Sequence, residues 1–347
     1  MSFQYVPALP VKRGDVQGFR DVAADLAARM APLWTVPVIN LRTGEAPSVR
    51  DRVKHLQKAA QQLRQVSGSG RSWIDTRHAE EDPKMVGDAL WGEFGLFTAA
   101  APVTGPERPP AQQALAQELA DTFSNGLGLR LDLRGLPVTE AAEQVAELAK
   151  RSAVAVEAMD LLLDLGAIAD AAQAGEYGAR AVAELGRLRP WRSVVLLAGS
   201  FPASLQQLAR DQVTRLPRHE VPVWRAVREN SGLDERLVYG DYSVVHPGKP
   251  AQTTTGPVTI LGRVLYSDPQ DFLVVKGRNM AVYGTAQMPA LASRITTDPA
   301  FRGRGFSEGE RYLADCVAGQ ESPGLPERWI RAGHTQHLAQ TVEQVAR

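Results

Sequence analysis

Charged and hydroxyl side chains recur at one kind of position in this 347-residue chain, directly after short apolar runs. Lys12 and Arg13 follow the run 3–9, and Asn40 and Arg42 follow 33–39. Asp75-Thr76-Arg77-His78 closes 72–75, Asp132-Leu133-Arg134 closes 129–132, and Asp164 closes 159–164. Gly199-Ser200 follows 193–198, Asp241-Tyr242 follows 236–239, and Arg263 and Tyr266 accompany 258–265. Carboxylates gathered with guanidinium groups suit an anionic, phosphorylated ligand. Arginine forks grip phosphate bidentately, while aspartates hold a divalent ion or exchange protons. Asp75, Asp132, Asp164 and Asp241 are therefore the candidate catalytic groups, with Mg2+ or Mn2+ as the candidate cofactor of a metal-assisted phosphodiester cleavage. Lys12, Arg13, Arg77, Arg134, Ser200, Tyr242, Arg263 and Tyr266 form the candidate substrate-binding set. Two such carboxyls about 5–10 Å apart would equally serve a glycosidase.

Each position also has a plain structural reading. Aspartate is a common turn and cap residue, and Asp75/Arg77 or Asp132/Arg134 can be local ion pairs. Repetition is what lifts the group above that, because burying many charges costs free energy unless they are paired or bind a ligand.

The elements that must position these residues alternate. Helical spacing marks 16–30, 49–66, 111–123, 139–150, 177–188 and 202–211, each behind a β-like run, with two more helices at 307–317 and 333–346. Residues 79–110, rich in Pro, Gly and Ala, read as irregular. The run 272–276 forms an apparent hairpin with 258–265 across Ser267-Asp-Pro-Gln. Eight β-like runs separated by helices predict a (β/α)8 barrel in one domain, 1–347, with an open doubly wound sheet as the alternative. In a barrel the strand C-termini share one face, so the charged positions would converge there.

Composition narrows the classes. Lys+Arg and Asp+Glu are 39 each, which argues against a polyanion-coating protein. A single cysteine, Cys316, excludes an internal disulfide or thiolate zinc cluster and reads as a buried, inert thiol. No apolar run is long enough to span a bilayer and no signal-peptide pattern opens the chain, so a cytoplasmic protein without membrane attachment is expected. Walker A, dinucleotide-binding and nucleophile-elbow patterns are missing, which disfavours an ATPase, a Rossmann dehydrogenase and an α/β-hydrolase. His334 and His337 have metal-compatible spacing but no zincin pattern, so surface or capping histidines are the simpler account. Arg302 and Arg304 in Phe301-Arg-Gly-Arg-Gly-Phe306 suit either a phosphate cradle or an ordinary glycine loop.

Tyr5-Val-Pro-Ala-Leu-Pro-Val-Lys-Arg-Gly-Asp15 with Phe19, then Ala31-Pro-Leu and Pro37-Val38, resembles the opening of the beta family proteins of bacteria and phages. The Asp-x-Arg at 132–134, Gly240-Asp-Tyr242, Phe306-Ser307 and Trp329 with His334 and His337 extend that resemblance over nearly the whole chain. It implies a phage-related or antiphage-defence setting and agrees with a barrel, and it supplies no catalytic residue. The expected function is hydrolysis of a nucleotide or nucleic acid. The alternative is a non-catalytic component that recognises a phage product, a nucleic acid or a partner protein.

Overall fold

The computed structural model describes residues 3–346, apart from 40–45, 69, 96–97, 234–235 and 249–259. Its strands are β1 (Tyr5–Pro10), β2 (Leu33–Thr35), β3 (Ser72–Asp75), β4 (Ala100–Thr104), β5 (Leu127–Asp132), β6 (Met159–Ala167), β7 (Ser193–Gly199), β8 (Val213–Pro217), β9 (Leu237–Asp241), β10 (Leu261–Ser267) and β11 (Asp271–Asn279). Eight of them form a closed parallel barrel in the order β1-β2-β3-β4-β5-β6-β7-β9. Closure pairs β9 with β1, setting Tyr5 beside Tyr239 and Pro7 beside Asp241. The other three make an antiparallel sheet in the order β10-β11-β8.

Side-chain parity explains why the barrel strands read as unbroken apolar runs, since both faces are covered. Val6, Ala8, Leu33, Trp73, Val103, Leu162, Val195 and Leu197 fill the lumen. Tyr5, Trp34, Ile74, Leu129, Leu161, Leu163, Leu196 and Tyr239 face the surrounding helices. The lumen is plugged at the strand N-termini by Asp160, which accepts from Trp73 Nε1 (2.9 Å), Ser193 Oγ (2.7 Å) and Arg192 Nη2 (2.6 Å). Trp73 fits because Gly128 stands beside it, where a Cβ would lie 2.9 Å from Trp73 Cδ1.

The helices begin where the chemistry of their first turns dictates. Ser48 and Asp51 form a capping box on Val49–Arg64, and Asp170 accepts from the backbone N–H of Ala172 and Gln173 to start Ala171–Leu185. The last helix, Pro326–Val345, is buried along most of its length between the barrel and the antiparallel sheet. It lies tightly on the helix Arg13–Arg20, for a Cβ at Gly18 would stand 2.8 Å from His334 Cβ.

Three local expectations are corrected. The fourth barrel strand lies inside 79–110: β4 reads Ala-Ala-Pro-Val-Thr, whose Ala and Pro are poor strand formers, yet every residue of it is buried. The run 258–265 is no barrel strand. Its described part belongs to β10 in the antiparallel sheet, residues 258–259 lie outside the described residues, and the barrel closes through β9. Between 202 and 211 the chain makes turns rather than a helix and leads into β8.

Candidate functional site

Inward parity carries four strands' polar residues to one layer at the C-terminal mouth of the barrel. Arg130, two residues before the end of β5, stands at its centre. It donates from Nη1 to Asp75 Oδ2 (2.7 Å), from Nε and Nη2 to Asp164 Oδ2 (3.1 and 2.7 Å), and from Nη2 to the Tyr242 hydroxyl (2.7 Å). Tyr242 in turn donates to Asp164 Oδ1 at 2.6 Å. On the far side Arg108 donates to both oxygens of Asp75 (3.2 and 3.3 Å), to Glu107 (2.8 Å) and to Glu80. All members of this layer except Glu80 and Glu107 are buried.

Above it lies a wetter shell. Asp132 accepts from the backbone N–H of Arg134 (3.1 Å) and from its Nε (2.8 Å). Arg77 reaches over the layer with Nη1 3.8 Å from Asp164 and Nη2 3.9 Å from Asp132, too far for hydrogen bonds. The Arg77 side chain is 21% exposed, and among the described residues its guanidinium donates no hydrogen bond.

Electrostatics follow from this crowding. Burial pushes the Asp75 carboxyl up, but Arg108, Arg130 and Arg77 hold it far below the usual carboxylate range. Asp132 is likewise lowered, its burial outweighed by Arg134 and Arg77. The Tyr242 hydroxyl is raised by burial and stays a proton donor. His78 is lowered by burial and by neighbouring Arg77, and remains neutral.

Of the residues singled out in the sequence, Asp75, Arg77, Asp132, Arg134, Asp164 and Tyr242 come together here. The others do not. Asp241 ends β9 with the opposite parity to Tyr242 and faces the outer layer, where it accepts from Tyr5 (2.5 Å), Tyr239 (3.0 Å) and His337 Nε2 (3.0 Å). Ser200 donates to Glu220 Oε2 (2.5 Å) beside Arg218, away from this layer. Lys12 is exposed and Arg13 pairs with Glu327 at 3.1 Å. Tyr266 donates to Glu310 Oε1 (3.1 Å) in the antiparallel sheet's own core, and Arg263 lines a separate cavity. Asn40 and Arg42 lie outside the described residues.

His334 and His337 are neither surface nor capping residues: both are fully buried, bonded to Ser243 (2.9 Å) and Ser267 (2.8 Å) respectively. Arg302 and Arg304 are taken by Glu343 (2.9 Å) and Asp315 (2.7 Å), so the glycine loop presents no free arginine fork. Cys316 is buried and its thiol is pushed up by that burial. Sequence reasoning missed Arg130 and Arg108. An arginine amid Leu129-Arg-Leu-Asp132, sharing parity with Asp132, was the readable signal for the first. Arg108 sits in a Pro-rich loop with no periodicity to expose it.

The residues present do not fit Mg2+ or Mn2+. The acceptor oxygens of Asp75 and Asp164 are already engaged by guanidinium, phenol and backbone donors, and no three His, Cys, Asp or Glu among the described residues gather to hold an ion. Among the described residues, no helix is long and apolar enough to cross a membrane.

Fold and site together define a (β/α)8-barrel protein whose mouth carries an arginine-bridged carboxylate layer beneath partly exposed arginines. The chain belongs to the Beta protein family, whose model matches residues 5–343. No curated protein matches it.

Proposed function

We propose that the protein is a cytoplasmic recognition component of a phage-related or antiphage-defence system. Its barrel mouth binds the phosphate of a nucleotide or nucleic acid without cleaving it. Arg77 carries this reading: a guanidinium with five donors stands at the mouth with no hydrogen bond among the described residues, beside the half-exposed Arg134. The carboxylates below act as a fixed anionic floor that orients the arginines. Asp75 and Asp132 are held too acidic to donate a proton near neutrality and are correspondingly weak bases, which disfavours hydrolysis as their task. The setting rests on the family and on the phage-related context expected of it.

Titration of the purified protein with 5′-phosphorylated and dephosphorylated oligonucleotides, at low and moderate salt, tests the reading. The phosphorylated form should bind more tightly, with affinity falling steeply as salt rises, and should be recovered intact. Cleavage abolished by Asp164→Asn would establish the hydrolase instead. Equal binding of both forms would remove phosphate from the account, and a salt-insensitive complex with a protein would assign the mouth to a protein partner.

A further inference from the structure

A second cationic place lies away from the arginine layer. Between the loops after β7 and β9 and the face of the antiparallel sheet is a cavity of about 380 Å³. Its polar wall includes Arg263 of β10 and Lys276 of β11, which are paired in register. Its apolar wall includes Phe201, Met288 and Trp329. No Asp or Glu is among the described lining residues.

Lys276 is buried, its Nζ donates to the carbonyls of Gln206 (2.5 Å) and Leu208 (2.7 Å), and among the described residues no carboxylate pairs with it. Arg263 makes no hydrogen bond and no ion pair among the described residues. Burial accordingly pulls the Arg263 guanidinium below its ordinary value, opposed by the more distant charge of Asp15. Two largely desolvated cations sharing an apolar wall carry an electrostatic cost that a bound anion removes. The cavity volume falls within the range of small-molecule sites.

We propose that this cavity binds a small amphiphilic anion, a carboxylate or phosphate monoester with an apolar body, its charge on Arg263 and Lys276 and its body against Met288 and Trp329. The site is separate from the barrel mouth, and Arg263 does in it what Arg77 does there.

Calorimetric titration of the full chain with octanoate, octyl phosphate and octanol tests this. The two anions should bind, and octanol should bind about tenfold more weakly or worse. Arg263→Gln should weaken the anions by about tenfold or more while the melting temperature stays level or rises, because the arginine leaves no partner unpaired. Ser204→Trp, a change at an exposed lining position, should block binding even if Arg263→Gln does not fold. Octanol binding as tightly as the anions, or anion affinity unchanged in both variants, would overturn the proposal. So would a loss produced by Arg77→Ala instead, which would place the anion at the barrel mouth.

Discussion

Two buried arginines organise this molecule in nearly the same chemical terms. Arg130 bridges Asp75 and Asp164 and meets the Tyr242 hydroxyl. Arg218 meets Glu220 (3.1 Å) and lies 3.5 Å from Asp241, itself bound by Tyr5, Tyr239 and His337. Their surroundings differ. Over the first stand Arg77 and Arg134, the latter with a side chain 54% exposed. Around the second Glu220, Asp241, His337 and Thr341 are all essentially solvent-free. One arrangement is the floor of an open site; the other is a knot tying the C-terminal helix to the barrel wall. Pairing chemistry alone does not distinguish a site from a strut. The accessible shell does.

Removing either arginine tests the likeness and gives the largest effects. Arg130→Met leaves Asp164 buried without its bonded cation and takes one of two guanidinium partners from Asp75, and Arg218→Met strips the buried Glu220 and Asp241 of their shared arginine, each at a cost of about 3–5 kcal/mol. Urea unfolding should show comparable losses for both, and only Arg130→Met should also lose phosphate-dependent binding. A loss below about 1 kcal/mol for Arg218→Met would mean that the knot is hydrated and the contrast drawn above is wrong.

Two acids near the C-terminal helix sharpen the same comparison through pH. Glu310 is buried with Tyr266 and Ser307 as hydrogen-bond donors and, among the described residues, no cation within bonding distance, and burial pushes it up to about 7. Its folded value is raised, so its stabilising contribution is complete below the unfolded value and is lost as pH rises towards about 7. The loss is about 3 kcal/mol, and Glu310→Gln should flatten it in melting curves taken from acid to neutral pH. Asp241 has the opposite sign. Burial raises it, but His337 and Arg218 overcome that and bring it down to about 2. Its contribution, about 2 kcal/mol, is present above the ordinary carboxylate value and lost as pH falls through about 2. Asp241→Asn should remove that acid limb. An unaltered limb would show that the knot is not what fails in acid.

Much of this was legible in the chain and some was not, for identifiable reasons. Seven barrel strands announced themselves as apolar runs, and Asp75, Asp132 and Asp164 as their charged ends. β4 was invisible because Ala-Ala-Pro carries almost no strand signal, while β10 was mistaken for a barrel strand because apolar alternation says nothing about partner or direction. Asp241 was grouped with the other aspartates by position. Parity within Tyr239-Gly-Asp-Tyr242 separates it, since Tyr242 points into the lumen and Asp241 therefore cannot. The surroundings of Arg263 depend on loops after two different strands, a juxtaposition that no local pattern encodes.

The smallest expected change in stability is the one most informative about function. Among the described residues Arg77 holds only two loose ion pairs, at 3.8 and 3.9 Å, both with acids that have closer arginine partners. Arg77→Ala therefore orphans no buried group, and its stability cost should stay within about 0.5 kcal/mol. If the mouth is a phosphate site, the same change removes a bidentate donor from the bound state, and affinity for a phosphorylated oligonucleotide should fall by about tenfold or more. The salt dependence should become shallower as well, because one phosphate contact is gone. Arg77→Lys, which keeps the charge without the fork, should recover the salt slope more fully than the affinity. A variant that binds like the parent protein would remove Arg77 from the site. A variant that loses stability in step with binding would make Arg77 a further strut of the Arg130 layer, and the difference between the two arginine clusters would then disappear.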